Sequence, residues 1–218
     1  MTTKRTIQVL TIDSTHSYTE LCNLGKHLGI DKSPYTNREG THRHPYTGVY
    51  SMLFGPLKHR HLHFAEIGVA GGGSVILWNK YFQHPSTRLD FFDCDATFLK
   101  HAASFNLTNT SFHLMDVSVD GDIQRALEGR GDYDVILDDS SHNFTHQIRI
   151  IKEALPFIKS GGYMIVEDIF RNIPHENFEK ELEGVLPLCA EAYFVLCEHA
   201  NKYSPGWDND KILVLVKK

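Results

Sequence analysis

Residues 62–74 read LHFAEIGVAGGGS. An apolar run carrying Glu66 near its end breaks into Gly68, Gly71, Gly72 and Gly73, after which a helical pattern resumes. This is how a buried parallel strand hands over to a loop that cradles a ligand. The glycines let the backbone turn tightly and approach a bound molecule with no Cβ in the way. The residues before it read as a support or lid, and the residues after it as repeated strand and helix units.

Downstream the alternation is regular. A helix is predicted over about 74–82, a strand at 89–95 (LDFFDCD), a helix at 96–105 and a strand at 110–116 (TSFHLMD). A helix near 120–128 leads to YDVILDD at 133–139, whose continuous apolar centre suits burial on both faces. Phe144, Ile148, Ile151, Leu155 and Ile158 follow at helical spacing, with Gly161 and Gly162 as the expected stop. GYMIVEDI at 162–169 is a fifth strand, 176–186 a helix, and 192–199 and 211–218 the last two strands. Those two are joined without a helix and must pair antiparallel, because a parallel crossover needs a dozen or more residues.

Upstream, residues 1–15 read as either a short strand or a loose arm. Leu21, Leu24 and Leu28 predict a helix that Gly29 closes. A loop rich in proline, threonine and aromatic residues follows, then a helical stretch at 47–57 ending at Gly55 and Pro56. The expected fold is α/β: a Rossmann-like, doubly wound, seven-stranded sheet with parallel strands and one antiparallel C-terminal strand. Residues 1–45 are expected as an N-terminal helix and loop on the acceptor side of a ligand-binding domain over 46–218.

The chain of 218 residues carries a formal net charge of −5, which argues against a nucleic-acid binder held by phosphate neutralisation. No apolar run approaches the roughly 20 residues that span a bilayer, and the first ten residues lack a secretory pattern. A cytoplasmic protein with a small polar partner, no nucleic acid and no membrane is the expectation. Cys22, Cys94, Cys189 and Cys197 have neither metal-binding spacing nor disulfide density and read as reduced.

Ligands of open α/β sheets bind beyond the carboxyl ends of the strands, where strand order reverses. Each of the five predicted parallel strands ends in acid: Glu66; Asp93 and Asp95; Asp116; Asp138 and Asp139; Glu167 and Asp168. An acid after the second strand can accept ribose hydroxyls, and one after the third can reach an adenine amino group. Glu66 disfavours a pyrophosphate at the neighbouring helix start and favours a ligand with a cationic end. The competing reading for a single acid such as Asp116 is a helix cap.

EIGVAGGGS, the acidic end of FFDCD, Asp116 and the helix-free final strand pair resemble the class I S-adenosylmethionine-dependent methyltransferases. Ala70 stands at the usual second glycine, leaving Gly68 and Gly72 as the matching pair. The resemblance implies S-adenosyl-L-methionine as cofactor, contacted by Glu66, Gly68, Gly72, Ser74, Asp93, Asp95, Asp116 and Asp138. DDSSH at 138–142 and VEDI at 166–169, with DKSPY and HPYTGVY upstream, resemble more narrowly the metal-dependent macrolide sugar O-methyltransferases. That implies Mg2+ on Asp139, Glu167 and Asp168, His142 as general base, and Lys32, Tyr46 and Tyr50 as cofactor or acceptor contacts. Ser140 replaces a common glycine, and TNREGTHR reads as an insertion in the N-terminal motif. Physical chemistry agrees with such a site: magnesium takes oxygen ligands, a metal-bound hydroxyl loses its proton more easily, and histidine is poised to accept it.

The expected activity is O-methylation of a hydroxyl on a sugar or glycosylated natural product, in a chain that can form a homo-oligomer. Alternatives are a catechol-like diol acceptor, a nicotinamide-dependent oxidoreductase, or a methyltransferase-like fold that only binds. Asp139 and His142 as mere caps of the next helix is the competing structural reading. His59, His61 and His63 alternate, as a zinc site or as one polar strand face. Trp207 and Tyr203 either wall an acceptor pocket or seal the sheet end.

Overall fold

The glycine-rich stretch of the sequence lies at the middle of the sheet. In the computed structural model, which describes residues 6–218, the strands are β1 (Gln8–Asp13), β2 (His63–Ile67), β3 (Arg88–Asp93), β4 (Thr110–Leu114), β5 (Tyr133–Asp138), β6 (Ile158–Val166), β7 (Cys189–Glu198) and β8 (Lys211–Lys217). They form one sheet in the order β1-β7-β8-β6-β5-β2-β3-β4. The chain runs outward from β2 to β4, then returns to β5 on the other side of β2. The order therefore reverses between β2 and β5, beside the glycines.

All neighbouring strands pair parallel except at β8, which is antiparallel to both β6 and β7. The expected reversed final pair is present. The sheet is one strand wider than the seven expected, because residues 8–13 pair in parallel with β7, from Gln8 beside Tyr193 to Asp13 beside Glu198. The first residues of the expected strand or arm, 1–5, lie outside the described residues.

Side-chain alternation along the strands divides the core in two. Phe64, Phe91, Val135, Leu137 and Ile165 face a cluster with Leu21, Tyr50 and Trp78 from helices α1 (Glu20–Leu28), α2 (Tyr46–Phe54) and α3 (Gly73–Tyr81). Ala65, Ile67, Phe92, Ile136 and Met164 face a second cluster with Ile123, Ile151 and Phe178 from α5 (Asp122–Leu127), α6 (Phe144–Ala154) and α7 (His175–Glu181). Helix α4 (Ala96–Ala103) adds Leu99 and Ala102 to the first.

Two helices stop earlier than predicted, the first of them at a proline. Helix α6 ends at Ala154; Pro156 sits in a 3-10 turn, and Ile158 opens β6 instead of extending the helix. Helix α7 ends at Glu181, with Pro187 in a later 3-10 turn. The alternating histidines do not converge. His63 bonds Asp90 at 2.8 Å, whereas His59 and His61 are exposed and His61 stacks on His84. No helix of the described residues is long and apolar enough to cross a membrane.

Candidate active site

The turn after β2 is held open from below. Gly68 has φ +101°, and a Cβ there would lie 2.1 Å from the carbonyl oxygen of Asp139. Only glycine fits where the loops after β2 and β5 touch. Gly72, at φ +77°, precedes α3, and its missing Cβ leaves room for the Phe105 ring. Asp93 at the end of β3 accepts the backbone N–H groups of Val69 at 2.8 Å and Ala70 at 3.3 Å, fixing the loop to the neighbouring strand.

A cavity of about 250 Å³ opens over this junction, lined by Gly68, Asp93, Cys94, Phe98, Met115 and Asp139 among others. A second, of about 320 Å³, lies on the other side of the loop between Ile30, Asp31, Arg38 and residues 69–76. The acids expected beside the cofactor are distributed unevenly. Asp95 is exposed and caps α4 through the Thr97 N–H and hydroxyl. Asp116 does the same for Ser118. Both carboxylates thus serve local turns, but only Asp95 caps a helix; Asp116 closes the turn ahead of α5, whose N-cap is Gly121. Asp138 turns inward beneath Ser140, whose hydroxyl it accepts at 2.6 Å, and burial pushes its pKa up to about 6. Glu66 is fully buried, accepts the Ser74 hydroxyl at 2.7 Å, and is pushed up to about 7 by burial.

Across Asp139 lies the reaction side. Asp139, His142 and Asp168 bring one ligand atom each within 4.8 Å of one another. His142 and Asp168 both sit in the left-handed region, at φ 54° and 53°, which is costly for residues other than glycine and aims both side chains at the same spot. The imidazole Nε2 of His142 is 3.6 Å from Asp168 Oδ2. The other oxygen of Asp168 accepts the Tyr46 hydroxyl at 2.6 Å and the Asn209 amide at 2.9 Å. Burial, then the Asp168 charge, holds the Tyr46 hydroxyl well above its usual pKa, so it stays a donor. Two carboxylates and an imidazole form a donor set suited to a divalent cation.

Glu167 was expected in that set and lies elsewhere. Its two oxygens are taken by the Tyr50 hydroxyl at 2.6 Å and by the Lys32 ammonium at 2.5 Å. Lys32 also bonds Asp139 and lies 3.7 Å from Glu66. Lys32, Tyr46 and Tyr50, expected as cofactor or acceptor contacts, are all buried among these acids.

His44 and Arg43 carried no sequence signal for this place, whereas the sequence left Trp207 and Tyr203 as either an acceptor wall or a seal of the sheet end. His44 bonds Asp210 at 2.8 Å, stacks on Tyr46 and stands 3.7 Å from Asp168. Trp207 borders His42, His142 and Phe170 and is 46 % exposed, so it walls the opening above the cluster instead of sealing the sheet. Arg43 and Tyr203 form a backbone bridge that ties the loop before α2 to the loop before β8. HPYTGVY and NKYSPGWDND hinted at the others only as polar and aromatic loop composition.

Residues 65–169 match the family model described as a methyltransferase domain. A tetracenomycin-C rhamnosyl 3'-O-methyltransferase of Streptomyces olivaceus is 31% identical over 136 residues, 58% of this chain and 33% of that protein. The mycinamicin VI 2''-O-methyltransferase of Micromonospora griseorubida is 23% identical over 134 residues, 58% of this chain and 32% of that protein. The chain thus spans about a third of the length of these curated relatives. Among solved structures, the chain superposes with MycE of the mycinamycin pathway, solved with Mg, SAH and mycinamycin VI, at TM-score 0.66 and 17% identity, covering 92% of this chain and 55% of that one. TomG of Streptomyces achromogenes, solved with SAM, gives TM-score 0.59 and 17% identity over 93% and 92% of the two chains. The fold is that of the class I methyltransferases, as the resemblance implied.

Proposed function

We propose that the chain is an S-adenosylmethionine-dependent O-methyltransferase that acts, with a divalent cation such as magnesium, on a hydroxyl of a sugar or glycosylated natural product. One observation carries this reading: Asp139 belongs both to the wall of the glycine-loop cavity and to the metal-competent trio with His142 and Asp168. A donor methyl and an acceptor hydroxyl would therefore meet across a single residue. The relatives named above, O-methyltransferases of a rhamnosyl tetracenomycin-C and of mycinamicin VI, support the acceptor class.

In this reading the loop at 68–72 and the Asp93 carboxylate that braces it cradle the donor, and Glu66 attracts its ammonium end. Cys94, Phe98 and Met115 supply apolar walls for an adenine ring. Asp139 and Asp168 would hold the cation, which when bound makes an acceptor hydroxyl more acidic. The hydroxyl oxygen attacks the sulfonium methyl carbon as its proton passes to Nε2 of His142. The carbon–sulfur bond breaks and its electron pair returns to sulfur, leaving S-adenosylhomocysteine. Asp168 steadies the imidazolium formed, and Tyr46 and Asn209 keep that carboxylate aimed by holding its other oxygen. Positioning of the two reactants supplies much of the rate gain. The aromatic wall of Trp207, His42 and Phe170 suits the apolar face of a sugar ring.

The test is calorimetric titration of the purified protein with S-adenosylmethionine, with magnesium and after chelation, with NADH as control, followed by a turnover screen over rhamnosyl and macrolide sugars. Binding of the donor and metal-dependent methylation of a glycoside are the expected results. Binding of NADH alone would overturn the reading.

A further inference from the structure

The methyl-transfer chemistry described above gives no task to Lys32, yet its ammonium lies among three carboxylates. Its side chain is 3 % exposed, and its ammonium touches Asp139 and Glu167 and lies 3.7 Å from Oε1 of Glu66, an oxygen that has no hydrogen-bond partner. These three acids come from three strand ends: Glu66 from β2, Asp139 following β5 and Glu167 following β6. Lys32 itself arrives from outside the sheet on a loop that is pinned on both sides. The Asp31 carbonyl accepts the His44 N–H at 2.7 Å, and the Lys32 carbonyl accepts the Thr47 N–H at 3.0 Å. The lysine is therefore delivered to a fixed place instead of reaching it by chance of rotamer.

We propose that Lys32 is a positioning residue, the resident cation of a three-carboxylate cage formed by Glu66, Asp139 and Glu167, and that it sets how strongly the adjoining Asp139–His142–Asp168 group takes a divalent ion. The proposal rests on the reading of Asp139 and Asp168 as metal holders. Its physical basis is charge. A buried carboxylate needs a partner, and here one ammonium serves three carboxylates from the donor side and the reaction side together. Glu167 has both oxygens engaged, by Tyr50 and Lys32, so it joins a metal only by giving up the lysine. Asp139 faces the same choice through the oxygen that Lys32 holds. Lysine and metal thus draw on the same acids, and each weakens the other's hold. The lysine keeps the acids assembled and neutralised until the metal arrives, and the metal is bound less tightly than the acids alone would bind it.

Mn2+ is the probe, followed by its electron paramagnetic resonance on wild type, Lys32→Gln and Lys32→Arg. Removing a unit charge this close to the ligands is expected to tighten Mn2+ binding in K32Q by at least about tenfold, while K32R, which keeps the charge, stays within about threefold of wild type. A merely structural lysine predicts the opposite for K32Q, since disordered acids bind metal less well. Unchanged or weaker Mn2+ binding by folded K32Q therefore overturns the proposal. If wild type takes no Mn2+ and K32Q does, the lysine proposal stands and the metal step of the proposed function falls. If neither takes it, the proposal is overturned. Should K32Q fail to fold, the wild-type lysine ammonium is read directly by 15N NMR. A slowly exchanging signal that Mn2+ broadens is expected; no protected signal, or one that Mn2+ leaves sharp, overturns the proposal.

Discussion

The two ends of strands β2, β3 and β5 carry opposite kinds of buried charge. At their amino ends a single acid, Asp90, accepts His63 at 2.8 Å and the Tyr133 hydroxyl at 2.8 Å, with His113 at 3.6 Å. Burial works against its ionisation, but the nearby His113 ring and the hydrogen bonds from His63 and Tyr133 win and hold it well below the usual carboxylate range. At the carboxyl ends Glu66, and Glu167 at the end of the adjoining β6, are pushed up by burial, with one lysine to share. One end has more donors than acid and is closed. The other has more acid than donors, and that surplus is what a cation or a cationic ligand can use. The left-handed His142 and Asp168 occur only beside the second.

The sharpest way to break this contrast is to remove the base. His142→Ala is expected to lower turnover about 100- to 10,000-fold while S-adenosylmethionine affinity stays within a few-fold, measured by initial rates and calorimetry. The same substitution at the closed end has no catalytic effect but a large structural one. Asp90→Ala leaves His63 and Tyr133 without their buried acceptor and should cost about 3 kcal/mol in urea unfolding.

The ends also differ in the sign of their pH dependence. Asp90 is more acidic folded than unfolded, so its contribution is present above the unfolded carboxylate pKa and is lost as pH falls below it. Glu66, raised from 4.5 to about 7, does the reverse: stability declines as pH rises across that interval. Asp90→Asn should remove the first limb and Glu66→Gln flatten the second, followed as unfolding midpoints against pH. Gly68→Ala tests the junction between the loops after β2 and β5; the clash with Asp139 should weaken donor binding by about tenfold, since relieving it strains the backbone by roughly 1–3 kcal/mol.

The smallest effect belongs to a second buried lysine. Lys211 is fully buried over Phe194 with no hydrogen-bond partner for its ammonium, and burial pulls its pKa down to about 8. Lys211→Met should stabilise the fold by about 1 kcal/mol at pH 7. The gain should shrink as pH rises from about 8 toward 10.5, where the wild-type lysine is neutral in the folded state.

Much of this was legible because it is local. The strand-to-glycine transition at 67–68, the acids closing each strand and the helix-free link before β8 follow from period and composition. The helix end at Ala154 was misjudged because apolar spacing continued past Pro156, which the backbone obeys first, and α7 stops at Glu181, short of its predicted end at 186. Within the site, sequence spacing could not separate acids that face a ligand from acids that cap a turn. Asp93 and Asp95 are two residues apart, yet one braces the glycine loop and the other caps α4. Nor could it foresee that Glu167 and Asp168, adjacent in the chain, point into different networks, because left-handed backbone at Asp168 turns one away from the other. Lys32 was visible as a chemically capable loop residue, but its three partners lie 34, 107 and 135 residues away and only the fold brings them together.

The Arg43–Tyr203 bridge makes the two loops over the opening behave as one part. Arg43 donates its N–H to the Tyr203 carbonyl at 2.7 Å, receives one in return at 3.2 Å, and lays its guanidinium over the tyrosine ring. The glycine loop and its bracing Asp93 lie outside that pair. Selection on which molecule enters can therefore rewrite the rim without retuning the machinery beneath it, and a transplant of acceptor preference between such proteins should move both loops together, since either alone would arrive without the strand partner that gives it shape.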